Sequence, residues 1–207
     1  MFLMRVALPD RPGSLGAVAS AIGLLGADIS AVAIVQRNVG HAIDDFIVTL
    51  PPGRFPDGLV SACHSIEGVR VEWISRYPEG AGLETDLEAL ERMFADPDQA
   101  AETLTSSAPG VFHTHWALLI DVLVDPKVTF STPLAPDLDS PALTAFGPFD
   151  SAHRVEPSEE FTAGWGDTVM AMAPVNGGRA IAVGRQGGPA FLDSELARLR
   201  HLAALVP

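Results

Sequence analysis

Residues 6–16 read Val-Ala-Leu-Pro-Asp-Arg-Pro-Gly-Ser-Leu-Gly. The short apolar run ends in a turn-rich hexapeptide, and apolar residues then recur at steps of three and four, as on one face of an amphipathic helix. Those residues are Leu15, Val18, Ile22 and Leu25. Pro12 suits the first helical position and Gly26 the C-terminal stop. The stretch therefore predicts a strand that feeds a helix through a tight loop.

This loop has the chemistry of a small binding site. The free amide groups at a helix start, together with the helix dipole, favour a small anion such as a carboxylate. Asp10, on the lip of the loop, offers an acceptor for an ammonium group. Donors for a carboxylate beside an acceptor for an amine fit a free amino acid. The alternative is that Asp10 only initiates the turn and caps the helix, which is a common role for Asp at this position.

The pattern around the loop predicts a complete small domain. One face of the third strand is expected to be buried, because Phe46, Val48 and Leu50 alternate with other residues. The predicted order of elements is β-α-β-β-α-β, which is the split βαβ arrangement. The segments are strand 3–8, helix 13–25, strands 28–37 and 41–50, helix 56–66 and strand 69–74.

Two motifs in this part resemble the ACT domain, a small amino-acid-sensing module with a ferredoxin-like βαββαβ fold. They are Asp-Arg-Pro-Gly-Ser-Leu at 10–15 and Gly-Ala-Asp-Ile-Ser at 26–30, and the resemblance covers about residues 2–77. It implies ligand contacts from the loop before the first helix and from the start of the second strand. The corresponding residues here are Asp10, Arg11, Gly13, Ser14, Leu15, Asp28 and Ile29.

The sequence departs from the family at two of those positions. Many members have Asn where this chain has Asp10 and Asp28. An Asn side chain can donate a hydrogen bond to a ligand carboxylate, whereas an ionised Asp cannot. The identity of the amino acid therefore does not follow from the resemblance.

Composition limits the classes of function. The chain has 207 residues, of which 47% are hydrophobic, enough for one ordinary domain or two small ones. The net charge of −13 argues against nucleic acid and against an anionic membrane surface as partners. No apolar run has the length of a transmembrane helix, and residues 1–5 are interpreted as the start of the first strand and not as a signal peptide. The expected compartment is the cytoplasm.

Cys63 is the single cysteine of the chain, which excludes an internal disulfide and a cysteine-based zinc site. It falls in the helical pattern of residues 56–66, between Leu59 and Ile66. We therefore expect a small core residue and not a nucleophile.

Residues 78–83 are predicted to link the first domain, residues 1–77, to a second domain, residues 84–207. Thr85 and Glu88 have the spacing of a capping box at the start of a helix. The second domain is expected to contain a helix after residues 96–99, strands 115–124 and 128–132, a hairpin of strands 168–175 and 179–186, and a final helix from about Asp193. The long stretch 133–166 is expected to hold short helices and a lid-like or cavity-lining loop.

The end of the chain resembles a GAF domain, a PAS-like α/β sensor module with an antiparallel sheet. The likeness rests on residues 180–185 and 188–196, above all on Phe191, Glu195 and Leu196. It implies that Phe191 anchors the start of the last helix and that Leu196 packs on the sheet. It also implies a small-molecule pocket, and often dimerisation through terminal helices. The sequence has neither the cyclic-nucleotide signature nor the chromophore cysteine of some members, so no ligand is carried over.

Several other residues invite a catalytic or metal-binding interpretation. His113 and His115 would share a face if the segment were extended, but no spacing rule supplies the remaining metal ligands. Glu159 and Glu160 lack a paired group and are expected in a solvated loop. The glycine-rich residues 184–188 are explained by a hairpin-to-helix turn. A cluster of aromatic residues either lines a pocket or forms the core of its own loop: Phe146, Phe149, Phe161 and Trp165.

Together these features predict an α+β protein with two domains that acts as a non-catalytic regulatory sensor. The expected ligand is a free amino acid at the ACT-like domain, with a possible second ligand at the GAF-like domain. A homodimer through the ACT-like domain is expected, with no nucleic acid, membrane, metal or cofactor. Two alternatives stay open: a regulated enzyme of amino-acid metabolism whose C-terminal half is catalytic, and an adaptor that has lost its ligand and only dimerises.

Overall fold

The computed structural model of the chain describes residues 1–76, 83–156 and 168–207. The chain divides into two compact units, Met1–Glu79 and Gly80–Pro207. Both units combine helices with an antiparallel sheet, so the protein belongs to the α+β class. The predicted linker 78–83 lies outside the described residues except for residue 83. Four residues considered in the sequence analysis also lie outside them: Glu159, Glu160, Phe161 and Trp165. No helix in the described ranges is long and apolar enough to cross a membrane.

The first unit has the predicted order of elements. Its sheet is antiparallel with the strand order β2-β3-β1-β4, so β2 and β4 are the edge strands. The elements are β1 (Phe2–Pro9), α1 (Ser14–Leu24), β2 (Asp28–Asn38), β3 (His41–Thr49), α2 (Asp57–His64) and β4 (Arg70–Arg76).

Both helices of the first unit pack on one face of the sheet. That face carries Met4, Val6 and Leu8 of β1, because side chains alternate between the faces of a strand. Burying these residues against the apolar stripes of the helices supplies the main stabilisation of the unit. The rest of this core comes from Val18, Ile22, Ala27, Phe46, Val48, Leu59, Cys63 and Val69.

The second unit has a five-stranded antiparallel sheet with the strand order β6-β5-β9-β8-β7. A 3₁₀ turn at Pro97–Gln99 leads into α4. The elements are α3 (Leu83–Ala95), α4 (Ala100–Phe112), β5 (Trp116–Asp121), β6 (Lys127–Ser131), α5 (Ser140–Thr144), β7 (His153–Val155), β8 (Thr168–Val175), β9 (Arg179–Gln186) and α6 (Asp193–Ala204).

Both faces of the central strands of this sheet are buried, which explains the unbroken apolar character of β5. Ala117 and Leu119 face a core shared with α3, α4 and α6. Trp116, Leu118 and Ile120 face a second core that includes Leu143, Phe146 and Val155. A strand covered on both sides has no polar face, so its sequence does not alternate.

Three boundaries of the second unit differ from the sequence-based prediction. Helix α3 is already formed at Leu83, so Thr85 lies inside the helix and the predicted capping box does not start it. Strand β5 ends at Asp121, whose carboxylate accepts a hydrogen bond from the Leu123 amide at 3.0 Å and turns the chain. The expected loop 133–166 is interrupted in its described part by the strand β7, which was not predicted, whereas the short helix α5 agrees with the short helices expected there.

Candidate functional site

The loop between β1 and α1 is fixed by backbone hydrogen bonds. The Asp10 amide donates to the Gly40 carbonyl at 3.1 Å, which ties the loop to the β2–β3 hairpin, and the Arg11 amide donates to the Pro9 carbonyl at 2.9 Å. Gly13 has φ +93°, a conformation that favours glycine. A Cβ atom on Gly13 would meet nothing within 4 Å. The backbone angle, and not close packing by the chain itself, therefore accounts for this glycine.

The start of α1 has no side-chain cap. Gly13 is the N-cap residue, and no described side chain accepts a hydrogen bond from the first turn of the helix. The capping role considered for Asp10 is therefore wrong. Within the described part of the chain, the Leu15 and Gly16 amides have no hydrogen-bond acceptor. In this helix start, these two of the first-turn amides remain available to an anion.

The predicted site residues of this loop lie together at the surface. Asp10, Arg11, Gly13 and Leu15 are exposed, and Ser14 is half-buried. The Asp10 carboxylate makes no hydrogen bond or ion pair within the described ranges. The loop can therefore present backbone donors and a carboxylate to the same small molecule.

Asp28 and Ile29 lie at the other end of the sheet. Asp10 is held beside Gly40, at the start of β3, whereas Asp28 pairs with Thr49 at its end. The nine residues of β3 span eight steps between these ends, a length of about 26 Å at about 3.3 Å per step. One chain therefore does not bring Asp10 and Asp28 to one amino acid. Asp28 is exposed, and Ile29 packs against the core.

Asp44 is a functional candidate that the sequence analysis missed. It pairs with Val6 and with Ile34, on the helix-bearing face of the sheet, and its side chain is only 2% exposed. Burial raises the pKa of the Asp44 carboxyl; Arg37 opposes the rise, and the carboxylates of Asp45 and Asp10 add to it. The sequence could have indicated this buried acid, because Asp44 alternates with Phe46 and Val48 and therefore lies on the same, buried face of β3.

The neighbouring acid, Asp45, has a different environment. It lies on the opposite face of β3 and accepts two hydrogen bonds of 2.8 Å from the Arg5 guanidinium. By contrast, Oδ1 of Asp44 is buried and has no hydrogen-bond partner in the described part of the chain. The two acids are adjacent in sequence, yet only Asp45 has a bidentate partner.

A second feature of the first unit is a surface depression of about 250 Å³ at the C-terminal end of α1. It is lined by Leu25, Leu50, Phe55 and neighbouring loop residues. Leu50 directly follows Thr49, which pairs with Asp28. The depression therefore lies at the Asp28 end of the sheet and not at the Asp10 loop.

The second unit does not assemble the metal ligands considered from the sequence. His113 ends α4 with φ +53°, so the segment up to His115 is not extended. One ring nitrogen of His115 lies 3.0 Å from the Gln186 amide nitrogen. In the ranges that the structure describes, no group of three or more His, Cys, Asp or Glu side chains could hold a metal ion.

The start of α6 is built on a buried ion pair. Glu195 accepts one hydrogen bond from Arg185 at 2.8 Å and one from the Leu192 amide at 2.7 Å. The Arg185 guanidinium is fully buried and stacks on the Phe191 ring at 3.9 Å. Phe191 is itself buried, and Leu196 packs against the same core as the sheet. These contacts fix the start of the last helix.

The predicted aromatic cluster is described only in part. Phe146 is fully buried, and Phe149 packs against the same core. These two rings therefore serve as core.

Comparison with known proteins does not assign a family. No protein-family model and no curated protein matches the sequence. Among solved structures, a formyltetrahydrofolate deformylase from Pseudomonas putida KT2440 is 12% identical, with a TM-score of 0.31, over 46% of this chain and 38% of that enzyme. An unknown protein from Galdieria sulphuraria is 14% identical, with a TM-score of 0.32, over 88% and 78% of the two chains.

A third structure, of a protein from Bacteroides thetaiotaomicron, is 12% identical, with a TM-score of 0.29, over 89% and 78% of the two chains. TM-scores this low do not establish a shared fold. The chain also spans well under two thirds of the deformylase. These likenesses therefore assign no activity to the protein.

Proposed function

We propose that this protein is a non-catalytic regulatory sensor whose first unit is an ACT-like domain that binds a free amino acid. The observation that carries the proposal is the start of α1, which no described side chain caps, beside the Asp10 carboxylate, which has no partner among the described residues. The Leu15 and Gly16 amides are available to an α-carboxylate, and Asp10 is available to an α-ammonium. The two charged ends of an amino acid are matched by these groups without any catalytic side chain.

The sensor is proposed to be a homodimer that pairs two β2 strands. Strand β2 is an edge strand, and the apolar side chains of Val32 and Ile34 on it are exposed. Pairing two copies antiparallel across this edge brings Asp28 of the second copy near Asn38 of the first. Asn38 shares a row of the sheet with His41 and Pro9, next to Asp10. The amino-acid site is thus divided between two chains, which accounts for the separation of Asp10 from Asp28.

The second unit is proposed to be a GAF-like module that responds to the first. The buried Phe191 at the start of α6 and the packing of Leu196 on the core support this likeness. The proposed protein has two states that differ in the arrangement of its modules. A ligand bound at the interface of the two β2 strands would favour the state that it binds more tightly.

A thermal-shift screen of the twenty amino acids tests the proposal. A ligand at about one hundred times its dissociation constant adds about 2.7 kcal/mol of stability, which corresponds to several degrees for a chain of this size. We expect a shift with one or a few amino acids, and its loss in Asp10→Ala and in Asp28→Ala. Glu67→Ala is the matched control, because Glu67 is an exposed acid of the same unit and does not line the depression at the Asp28 end of the sheet. No shift at millimolar concentrations would overturn the sensor and favour the dimerising adaptor.

Mixed dimers test whether the site is shared. When Asp10→Ala and Asp28→Ala chains are combined, each mixed dimer retains one site with both acids and loses the other. We expect binding to return to about half of the sites in a purified mixed dimer, although neither parent binds. If the mixed dimer does not bind the amino acid, the site does not use Asp10 and Asp28 from different chains.

A further inference from the structure

His153, at the start of β7, contacts two backbone carbonyl groups with one imidazole ring. Its Nδ1 atom lies 2.9 Å from the Ser151 carbonyl oxygen, and its Nε2 atom lies 3.0 Å from the Phe146 carbonyl oxygen. A carbonyl oxygen only accepts hydrogen bonds, so each ring nitrogen must carry a proton to bond its partner. Neutral imidazole has one N–H group, whereas imidazolium has two. Both contacts are therefore hydrogen bonds only when the ring is cationic.

The two carbonyl groups belong to the turn that joins α5 to β7. Phe146 lies just beyond the end of α5, where its ring is fully buried and its amide donates to the Leu143 carbonyl at 3.0 Å. Ser151 lies at the other end of the turn, two residues before His153. The imidazole therefore ties both ends of this turn to the first residue of the strand.

Strand β7 depends on such side-chain contacts more than the other strands of its sheet do. It has three residues, lies at the edge of the sheet and pairs with β8 alone. So short an edge strand makes few backbone hydrogen bonds, and segments of this kind open most readily. Arg154 holds the strand from one side by donating to the Phe191 carbonyl. His153 holds it from the other, because alternate side chains of a strand point to opposite faces.

Few charged groups surround the His153 ring. Helix α5 and strand β8 contain no charged residue, and Asp139 caps the far end of α5. The turn contributes Asp150, which is exposed and makes no hydrogen bond or ion pair among the described residues. On β7 itself, Arg154 pairs with Asp193 on the opposite face. Within the described ranges, the two carbonyl groups are therefore the polar partners that respond to the charge of the ring.

We propose that His153 is a proton-dependent clamp on the turn between α5 and β7. Histidine is the side chain whose charge ordinarily changes between about pH 5 and 8. At the acidic end of this range, the ring donates to both carbonyl groups and closes the turn. As the pH rises, one nitrogen loses its proton and presents a lone pair to a carbonyl oxygen, so that one of the two hydrogen bonds is lost. Acidification therefore tightens the β7 edge of the second sheet. This inference does not depend on the amino-acid site.

Two measurements on the full-length protein at about pH 5.5 and about pH 8 test the clamp. Long-range ¹H–¹⁵N spectra identify protonated ring nitrogens, and we expect two for His153 at the lower pH and one at the higher. Hydrogen exchange of residues 146–155, corrected for the intrinsic effect of pH, is expected to be at least about threefold slower at the lower pH, because one more hydrogen bond holds the turn.

Two variants separate the clamp from a general effect of pH. His153→Gln keeps a donor but does not titrate, so exchange in the turn should become independent of pH. His201→Gln is the matched control, because His201 is an exposed histidine of the same unit, and it should keep the wild-type difference. An equal difference in His153→Gln and the wild type would overturn the proposal. If His153→Gln does not fold, the wild-type spectra decide, because a single protonated nitrogen at about pH 5.5 overturns the clamp.

Discussion

Cys63 gives a prediction about pH that depends on one side chain. The thiol is fully buried, and burial raises its pKa from 9.0 to about 11. The folded protein therefore holds this proton more tightly than the unfolded chain. The resulting stability is complete below about pH 9 and is lost as the pH rises through about 11, by about 1.4 kcal/mol per pH unit. Urea unfolding at pH 8 and pH 10.5 measures the loss.

The control for this measurement is Cys63→Ala. This variant is less stable than the wild type at every pH, because it leaves a cavity, but it lacks the thiol contribution to the alkaline slope. A slope equal to that of the wild type would contradict the assignment. Slow reaction of the native protein with an alkylating reagent, compared with fast reaction in urea, is a second expected result.

Position 184 requires glycine because the Trp116 ring lies opposite it in the sheet. It pairs with Trp116 across β5 and β9, and a Cβ atom built on Gly184 would lie 2.1 Å from Cζ2 of that buried ring. Gly184→Ala therefore forces the indole or the strand to move and is expected to cost about 3 kcal/mol of unfolding free energy. Chemical denaturation measures this. Adding Trp116→Leu should recover part of the loss; if it adds a full further penalty, the clash is not the cause.

Residue-level features could be predicted from the sequence only where their cause is local. The burial of Cys63 followed from helical spacing, and the turn at Gly13 from its neighbours in the chain. Gly184 was attributed to a turn because its contact with Trp116 spans most of the second unit. The position of Asp44 on the buried face could be inferred from its alternation with Phe46 and Val48, but the missing hydrogen-bond partner of its Oδ1 among the described residues could not, since it depends on which strands lie on either side of β3.

At the level of elements, the start of α6 depends on the ion pair between Arg185 and Glu195. Glu195→Ala removes the carboxylate from a fully buried guanidinium and the acceptor from the Leu192 amide. We expect a loss of about 3–5 kcal/mol, measured by denaturant unfolding. Asp193→Ala is the matched control on the same helix. Its partner is the partly exposed Arg154, so its loss should stay within about 1 kcal/mol. Equal losses in the two variants would contradict this account.

Elements could be predicted best where the alternation or helical spacing was uninterrupted. The six elements of the first unit are recovered within about two residues, because each has one buried face and a turn at its end. Strand β5 was predicted too long, because Val122 continues its apolar pattern beyond the turn at Asp121. The start of α3 was misplaced, because Thr85 matches a capping pattern inside the helix.

For the molecule as a whole, charge is unevenly divided between the two units. Residues 1–79 contain eight acidic and six basic side chains, whereas residues 80–207 contain eighteen and seven. Two copies of the first unit can therefore approach with little net repulsion, while two copies of the second repel each other. The net charge of the full chain, which the composition gives directly, does not reveal this asymmetry.

The edge of β2 is the surface through which we expect two chains to pair. Val32 lies next to the middle of the strand and is 40% exposed, and an edge strand with exposed apolar side chains favours pairing with another strand. Light scattering after size exclusion is expected to give about twice the chain mass of 21.8 kDa. Val32→Lys places like charges near each other across the two-fold axis and should halve this mass.

Val39→Lys is the control, because Val39 is fully exposed at the tip of the β2–β3 hairpin and lies outside the paired strand. It should keep the dimer. In the proposed site Asp10 and Asp28 come from different chains, so Val32→Lys is also expected to abolish stabilisation by the ligand, while Val39→Lys is expected to preserve it. A wild-type monomer that is still stabilised by an amino acid would separate binding from dimerisation, and the site would then have to be built within a single chain around Asp10.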